Sequence, residues 1–506
     1  MKLILYSLPL AVFMSFCTPK GDKTVPEKPN IVIFYADDLG FGDIGIQGAV
    51  GVETPCIDNL AENGLRFLDG HCSAATCTPS RYSLLTGSYA FRNNAAILPG
   101  DAPALIRPGS ATIASMFQKA GYKTGVVGKW HLGLGDGFVN WNEEIKPGPL
   151  EIGFDYCFLI PATGDRVPCV FVENHRVVGL DPNDPITVSY SERIENEPVG
   201  MEHPEMLKLM ADMQHSEAIV NGVSRIGHMQ GGEEARWVDE DFADVLVNKA
   251  NKFINSNKEE PFFLFFSFHD IHVPRVPHSR FVGKSTMGPR GDAICQMDWC
   301  TGEIVKTLEE LGLDKNTLII FSSDNGPVLD DGYFDQAEEL IGNHNPSGIY
   351  RGGKYSAFEA GTRVPTIVYW PGEIKTGVSN ALVTQVDLYA SLAKLVGQEI
   401  PNGDAPDSFD MLSTWLGRST NGRKVMLEEA FTIAVRDGNW KYIEPVKSDP
   451  PAWFANKRIE SGLSKEVQLY NLENDSGEQK NVALKYPEKV KEMQQMLIEI
   501  RKTGIR

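Results

Sequence analysis

Beyond its first residues this chain has no apolar run of membrane length, which excludes a bundle of several membrane-spanning helices. Positive charge is in short supply: 48 Lys and Arg face 67 Asp and Glu, for a net charge of -19. A surface of that sign disfavours a nucleic-acid backbone as partner, so any anionic ligand has to be caught by a local basic pocket. No internal repeat and no low-complexity tract stands out. The His-Glu-x-x-His pattern is missing as well, so the spacing of His269 and His272 does not describe a helical zinc pair. Cysteine is sparse, with eight in the chain.

What is present begins with size. The 506 residues, 42% of them apolar, suffice for one large domain and a smaller companion, because single cores stop growing beyond about 250–300 residues. Met1 and Lys2 precede an apolar run over 3–16, long enough for a signal-peptide core and too short to span a bilayer comfortably. Cys17, followed by Thr18-Pro19-Lys20-Gly21-Asp22, resembles a bacterial lipoprotein junction. Phe16 is larger than such a junction usually has, so ordinary cleavage and an uncleaved anchor stay open. The expectation is a signal segment over 1–17, a linker over 18–29, and export to the periplasm or cell envelope of a bacterium. A lipid on Cys17 would be the only tie to a membrane. Setting Cys17 aside leaves Cys56, Cys72, Cys77, Cys157, Cys169, Cys295 and Cys300. That is an odd number, so at least one lies outside any internal disulfide.

Asn30-Ile31-Val32-Ile33-Phe34-Tyr35 reads as a continuous apolar strand, buried on both faces of a parallel sheet, and it runs into Asp37-Asp38. The run 317–321 follows the same grammar and leads to Ser322-Ser323-Asp324-Asn325; the run 262–268 leads to His269 and His272. A weaker copy over 123–127 leads to Lys129 and His131. Helix-like segments, 113–120 and 293–311 among them, lie between. This alternation predicts an α/β fold: a large doubly wound mixed sheet flanked by helices, over 30–417. Beyond Gly417 come a turn between strand-like flanks over 434–443, then Leu469-Tyr470-Asn471-Leu472, then a helical apolar spacing over 487–501. These predict a smaller antiparallel sheet with a terminal helix, over 418–506. In an open α/β sheet the ligand sits beyond the carboxyl ends of the strands. A single charged residue there is ordinary solvated polarity. Four strands delivering such side chains to one edge mark a site.

The sharpest motif is Cys77-Thr78-Pro79-Ser80-Arg81, followed by Leu84-Leu85-Thr86-Gly87. Its Pro-Ser turn fixes the start of a helix whose N-terminus favours negative charge, and Arg81, one turn on, places a permanent cation beside residue 77. Taken alone, Cys77 could equally pair with Cys72 or another thiol. The motif resembles the signature of the sulfatase family, within the alkaline-phosphatase superfamily, in which this cysteine is oxidised to formylglycine by a sulfatase-maturing enzyme. The resemblance runs in family order from about Asn30 to the C-terminal helix and points toward bacterial glycan sulfatases. Asp37-Asp38 and Asp324-Asn325-Gly326 match its metal ligands, Gly128-Lys129-Trp130-His131 its lysine-histidine pair, and His272-Val273-Pro274 its second histidine. Lys354, in Gly352-Gly353-Lys354 and ahead of Gly361-Thr362-Arg363-Val364-Pro365, matches its second lysine.

Asp37, Asp38, Asp324 and the amide oxygen of Asn325 form an all-oxygen set, which suits a hard cation, calcium before magnesium, and suits zinc poorly. Asp324-Asn325-Gly326 by itself would be a plain turn. Lys129 and Lys354, judged singly, could be surface lysines, although their glycine neighbours permit close approach of backbone to a ligand. His272 alone would more often be structural, and His269 reads as a support for its neighbours. The resemblance implies a calcium-dependent hydrolase of sulfate esters whose residue 77, as hydrated formylglycine, carries the nucleophilic hydroxyl and also touches the metal. It makes His272 the acid that protonates the departing sugar oxygen and His131 the base that helps release sulfate. Arg81, Lys129 and Lys354 offset the sulfuryl charge.

Pro161-Ala162-Thr163-Gly164-Asp165-Arg166 sits where related glycan sulfatases contact sulfate and sugar, which makes Thr163, Asp165, Arg166 and the nearby His175 the candidate substrate contacts. A loop without catalytic duty accounts equally well for His175. The substrate expectation is galactose or N-acetylgalactosamine sulfated at carbon 6. Two rival readings exist. A phosphodiesterase or phosphonate hydrolase of the same superfamily is disfavoured by Asn325 and the single-metal set. A non-catalytic binder of sulfated glycans would have no use for Cys77.

Overall fold

The computed structural model describes residues 28–456 and 459–503. The expected signal segment, the lipoprotein-type junction at Cys17 and most of the linker therefore lie outside the described residues. Asn30–Ala36 occupies the middle of a ten-stranded sheet, parallel to Thr317–Ser323 on one side and to Phe262–Ser267 on the other. Ile31 stands opposite Phe263 and Leu318, and every residue of the three strands is buried. Such strands have no polar face because helices cover both sides of the sheet.

Lys123–Lys129 and Tyr156–Ile160 extend the parallel order, and the short strands Val172–Glu173 and Arg176–Val177 close that side as an antiparallel hairpin. On the other side Thr366–Tyr369 and Leu65–Phe67 are successive antiparallel neighbours, and Gly377–Ser379 forms the edge. The sheet is thus mixed, as expected. Its helices fall into two packed groups: Pro55–Asn63, Phe242–Ser256 and Gly288–Glu310 in one, and Cys77–Thr86, Ile113–Lys119 and Leu388–Leu395 in the other. Gly288–Glu310 starts earlier than its apolar spacing suggested because Pro289 is at home in a first helical turn. No helix among the described residues is long and apolar enough to cross a membrane.

Aromatic rings tie the second helical group to the sheet. Phe263 is fully buried and stacks on Phe117 at 4.6 Å between centroids, with Phe154 at 6.2 Å. Truncation there strips a contact from two rings at once and leaves a cavity, so Phe263→Ala should destabilise the protein by about 3–5 kcal/mol in denaturant titration.

The C-terminal part is a four-stranded antiparallel sheet, Val425–Glu429, Ile433–Asp437, Trp440–Ile443 and Gln468–Asn471, covered by the helix Pro487–Thr503. Met493, Leu497 and Ile500 share one face of that helix and pack on Leu427, Val435, Tyr442 and Leu469. A buried charge network joins the two sheets. Asp69 accepts from Arg363 and Arg436, each at 2.7 Å, while Lys441 bridges Glu359 at 3.1 Å and Glu428 at 2.8 Å. Asp69, His71 and Glu359 are close enough to hold an ion. They are already neutralised by these side-chain cations, so the cluster is an ion-pair lock between the sheets.

Candidate active site

The central strands end on one edge, and the chain conformation there explains why consecutive acids can share a cluster. In an extended strand Asp37 and Asp38 would point to opposite faces. Asp38 instead adopts a left-handed conformation, φ 60°, just past the strand end, and both carboxylates join one group. The backbone N–H of Asp37 donates to the Asp270 carbonyl at 3.1 Å, and the Asp324 N–H donates to the Ala36 carbonyl at 3.0 Å. These bonds lock the loops after three adjacent strands to one another.

Buried cations answer the acids. Arg81 pairs with Asp324 through Nε at 2.9 Å and a terminal nitrogen at 2.7 Å, and it also donates to the Lys129 carbonyl at 3.1 Å. Lys129 donates to Asp37. Lys354 donates to Asp38 and to Asp331, each at 2.9 Å. Neither lysine is a surface residue. Asn325 donates to Asp38 Oδ1 at 2.7 Å.

Cys77 is the first residue of the helix Cys77–Thr86, so its side chain stands at the positive end of the helix dipole. Its Sγ lies 3.6 Å from Asp37 Oδ1. Cys72 is also a free thiol and donates to the Ala74 carbonyl at 3.2 Å, so the two are not bridged.

The histidines frame this group. His272 Nδ1 donates to the Val273 carbonyl at 2.6 Å, which orients the ring with Nε2 4.0 Å from Asp38 Oδ2. His131 Nε2 is 3.0 Å from the Leu98 carbonyl, and its Nδ1 is buried with no hydrogen-bond partner. Burial, with Lys129 next, holds the His131 pKa well below its ordinary value; burial, Lys354 and Lys129 do the same at His272. His269 Nε2 accepts from the Gly164 N–H at 3.1 Å. A Cβ at Gly164 would come within 2.3 Å of that nitrogen, so only glycine allows the loop so close.

That loop forms one wall of a cavity of about 170 Å³ whose lining includes His272, Asp165, Arg166 and Asp331. Arg166 donates to both Asp165 oxygens at 2.9 Å and to Thr163 Oγ1 at 2.7 Å. His175 is not part of the lining. It sits at the turn of the outer hairpin, where its Nε2 meets Glu151 at 2.9 Å.

The family model for sulfatases matches residues 29–398. The chain belongs to the sulfatase family. It is 51% identical to the N-acetylgalactosamine-6-O-sulfatase of Bacteroides thetaiotaomicron over 97% of each chain, and 30% identical to human arylsulfatase A over 90% of this chain and 84% of that one. A solved sulfatase structure, from work on glycosaminoglycan metabolism in Bacteroides thetaiotaomicron, superposes with a TM-score of 0.92 at 51% identity, covering 94% of this chain and all of the other. The protein is accordingly a hydrolase of sulfuric esters.

The donor set of this sulfatase fits a divalent cation. Asn325 Oδ1 is buried without any hydrogen-bond partner, an arrangement that costs about 1–3 kcal/mol unless a ligand takes the oxygen. Burial and the neighbouring Asp324 push the Asp37 carboxyl up to about 8 against the opposing pull of Lys129, a mark of crowded negative charge. Ligand atoms of Asp37, Asp38, Cys77 and His272 all lie within 4.8 Å of one another. Hard oxygen donors of this kind are what calcium or magnesium requires.

The cavity also holds residues that no sequence pattern announced: Gln214, His215, Asp331, Tyr355 and Trp453. His215 bridges Asp212 at 2.7 Å and Asp165 at 3.5 Å. Burial works against its imidazolium, but the hydrogen bonds to Asp165 and Asp212 outweigh burial and raise its pKa.

Proposed function

We propose that this sulfatase removes the 6-O-sulfate from N-acetylgalactosamine or galactose in a glycan, with formylglycine made from Cys77 as nucleophile and a calcium ion held by Asp37, Asp38, Asp324 and Asn325. The observation that carries the reading is the position of residue 77: at a helix N-terminus, against Asp37, with three buried cations around it. The 51% identity to an N-acetylgalactosamine-6-O-sulfatase supports the choice of sugar. Export from a bacterium, maturation by a dedicated enzyme, and a division into 30–417 and 418–506 belong to the same proposal.

Formylglycine, once made and hydrated by water, would supply a pair of hydroxyls that an unmodified cysteine does not offer, one to attack sulfur and one to expel sulfate. Calcium, when bound, supplies a charge that makes this hydroxyl more acidic. The remaining steps rest on the chain's own side chains. Lys129, Lys354 and Arg81, all buried, hold fixed positive charge around the sulfuryl oxygens, so the electrostatic gain needs little reorganisation. The carbonyl of Val273 fixes the His272 ring, and the negative charge of an arriving sulfate ester favours a proton on Nε2. His272 then donates that proton to the departing sugar oxygen. Neutral His131, with Nδ1 unpartnered, takes the proton from residue 77 that sulfate release requires. Arg166, Asp165 and Thr163 meet the sugar at the cavity wall. His175, engaged with Glu151, is left out of this assignment.

The test is release of inorganic sulfate from a panel of sulfated monosaccharides. N-Acetylgalactosamine 6-sulfate or galactose 6-sulfate should be cleaved fastest. Faster turnover of a phosphonate or phosphodiester would favour the superfamily rival, and tight binding without turnover would favour a glycan binder.

The metal makes a separate prediction. Chelation should abolish activity and calcium or magnesium should restore it. Asp324→Asn, milder than alanine because it leaves Arg81 a partner, should lose calcium binding in titration calorimetry. Restoration by zinc alone would contradict the all-oxygen set.

A further inference from the structure

The chemistry on the cavity's walls is uneven. Its lining includes the polar Asp165, Arg166, Gln214 and His215 and also two adjoining aromatic rings, Tyr355 and Trp453. Trp453 arrives from the C-terminal part of the chain, on the short helix Ala452–Asn456 that follows the strand Trp440–Ile443. It is partly buried. Edge contacts hold its ring in place: Tyr355 at 5.2 Å and 67°, Phe431 at 5.9 Å and 63°, with Phe454 tilted against it at 5.8 Å.

Tyr355 is constrained in turn. Its hydroxyl donates to Asp331 at 3.2 Å, its N–H donates to the Ala75 carbonyl at 2.7 Å, and its backbone sits at φ 69°. A bulky residue in that region is strained and persists only where its surroundings fix it. The aromatic corner is therefore braced against the loop that carries Lys354 and against the segment just before Cys77. A pyranose ring is amphipathic in the same sense as this cavity, with C–H bonds on a face and hydroxyls around the edge. An axial hydroxyl at carbon 4 gathers the C–H groups of carbons 3, 4 and 5 on one face. The cavity, at about 170 Å³, is well below the volume of pockets that enclose larger ligands, which run to roughly 300–1,000 Å³. It suits one ring.

We propose that Trp453 is the platform on which the apolar face of the sulfated sugar stacks, so that the C-terminal part of the chain completes the substrate site. The inference rests on the reading of the enzyme as a sugar sulfatase. Trp453 is a positioning residue for the ring and takes no part in bond breaking.

The experiment compares wild type, Trp453→Phe and Trp453→Ala as full-length matured proteins on N-acetylgalactosamine 6-sulfate, with inorganic sulfate as competitive inhibitor. Trp453→Ala should raise KM about tenfold with kcat nearly unchanged, and Trp453→Phe should recover most of the loss. The inhibition constant of inorganic sulfate should not move in either variant, since sulfate alone touches no aromatic wall. An unchanged KM in Trp453→Ala would overturn the platform. So would a matching rise in the sulfate inhibition constant, or failure of Trp453→Phe to recover binding, because both describe a merely structural role. A wild-type enzyme inactive on every sulfated sugar yet active on other esters would instead overturn the sugar sulfatase reading on which the platform rests.

Discussion

Replacing Cys77 by alanine is expected to bring turnover down to background, a loss on the order of 10⁴-fold or more, because the proposed mechanism makes residue 77 the group that attacks sulfur. The fold should tolerate the change. One buried sulfur atom leaves a small gap, worth about 1 kcal/mol, and the neighbouring charges keep their partners: Arg81 on Asp324, Lys129 on Asp37, Lys354 on Asp38. Cys77→Ser is the more informative variant. Where the maturing enzyme does not accept serine, a hydroxyl remains that can take sulfate once and has no second hydroxyl to expel it. A burst of desulfated sugar no larger than the enzyme concentration, followed by arrest, is the expected time course. Sustained turnover by Cys77→Ala would remove residue 77 from the chemistry altogether.

The second large effect belongs to His272. In the proposed role of acid to the leaving oxygen, it should matter in proportion to how badly that oxygen leaves. His272→Ala should lower kcat on a sugar sulfate by about 10²–10⁴-fold. The same variant should lose far less on an aryl sulfate, whose phenolate departs without a proton. Lys129→Ala and Lys354→Ala should penalise both esters alike, since sulfuryl charge is common to the two. Folding must be matched first by melting temperature. Removing either lysine takes away the cation paired with a fully buried carboxylate, Asp37 or Asp38, a change that can cost about 3–5 kcal/mol. Equal losses on both esters for His272→Ala would make this histidine a sulfate ligand and leave the acid unassigned.

Much of this was legible in the residues. The long central strands announced themselves because burial on both faces forces an unbroken apolar run, as in Asn30–Ala36 and Phe262–Ser267. Their carboxyl ends carried the acids and histidines that the sheet then gathers from positions as far apart as Asp37 and Asp324. The short strands toward one edge of the sheet were not legible. Leu65–Phe67 and Gly377–Ser379 are three residues each and exist only through pairing with distant partners, so no local period reveals them. Trp453 and His215 were invisible for a similar reason: each lies on a very short helix, Ala452–Asn456 or Met213–His215, whose place over the cavity is set by tertiary contacts. His175 shows the converse. It stands near the candidate loop in sequence, but the hairpin turns it toward Glu151.

The most direct test of the central claim is the mass of the tryptic peptide spanning residues 67–81, isolated from active protein made together with its maturing enzyme. Fragmentation separates Cys72 from residue 77 within that peptide. The account predicts an unmodified thiol at Cys72 and an aldehyde, or its hydrate, at residue 77, in a fraction that tracks specific activity between preparations. Full activity in protein whose residue 77 is entirely unmodified cysteine would contradict it.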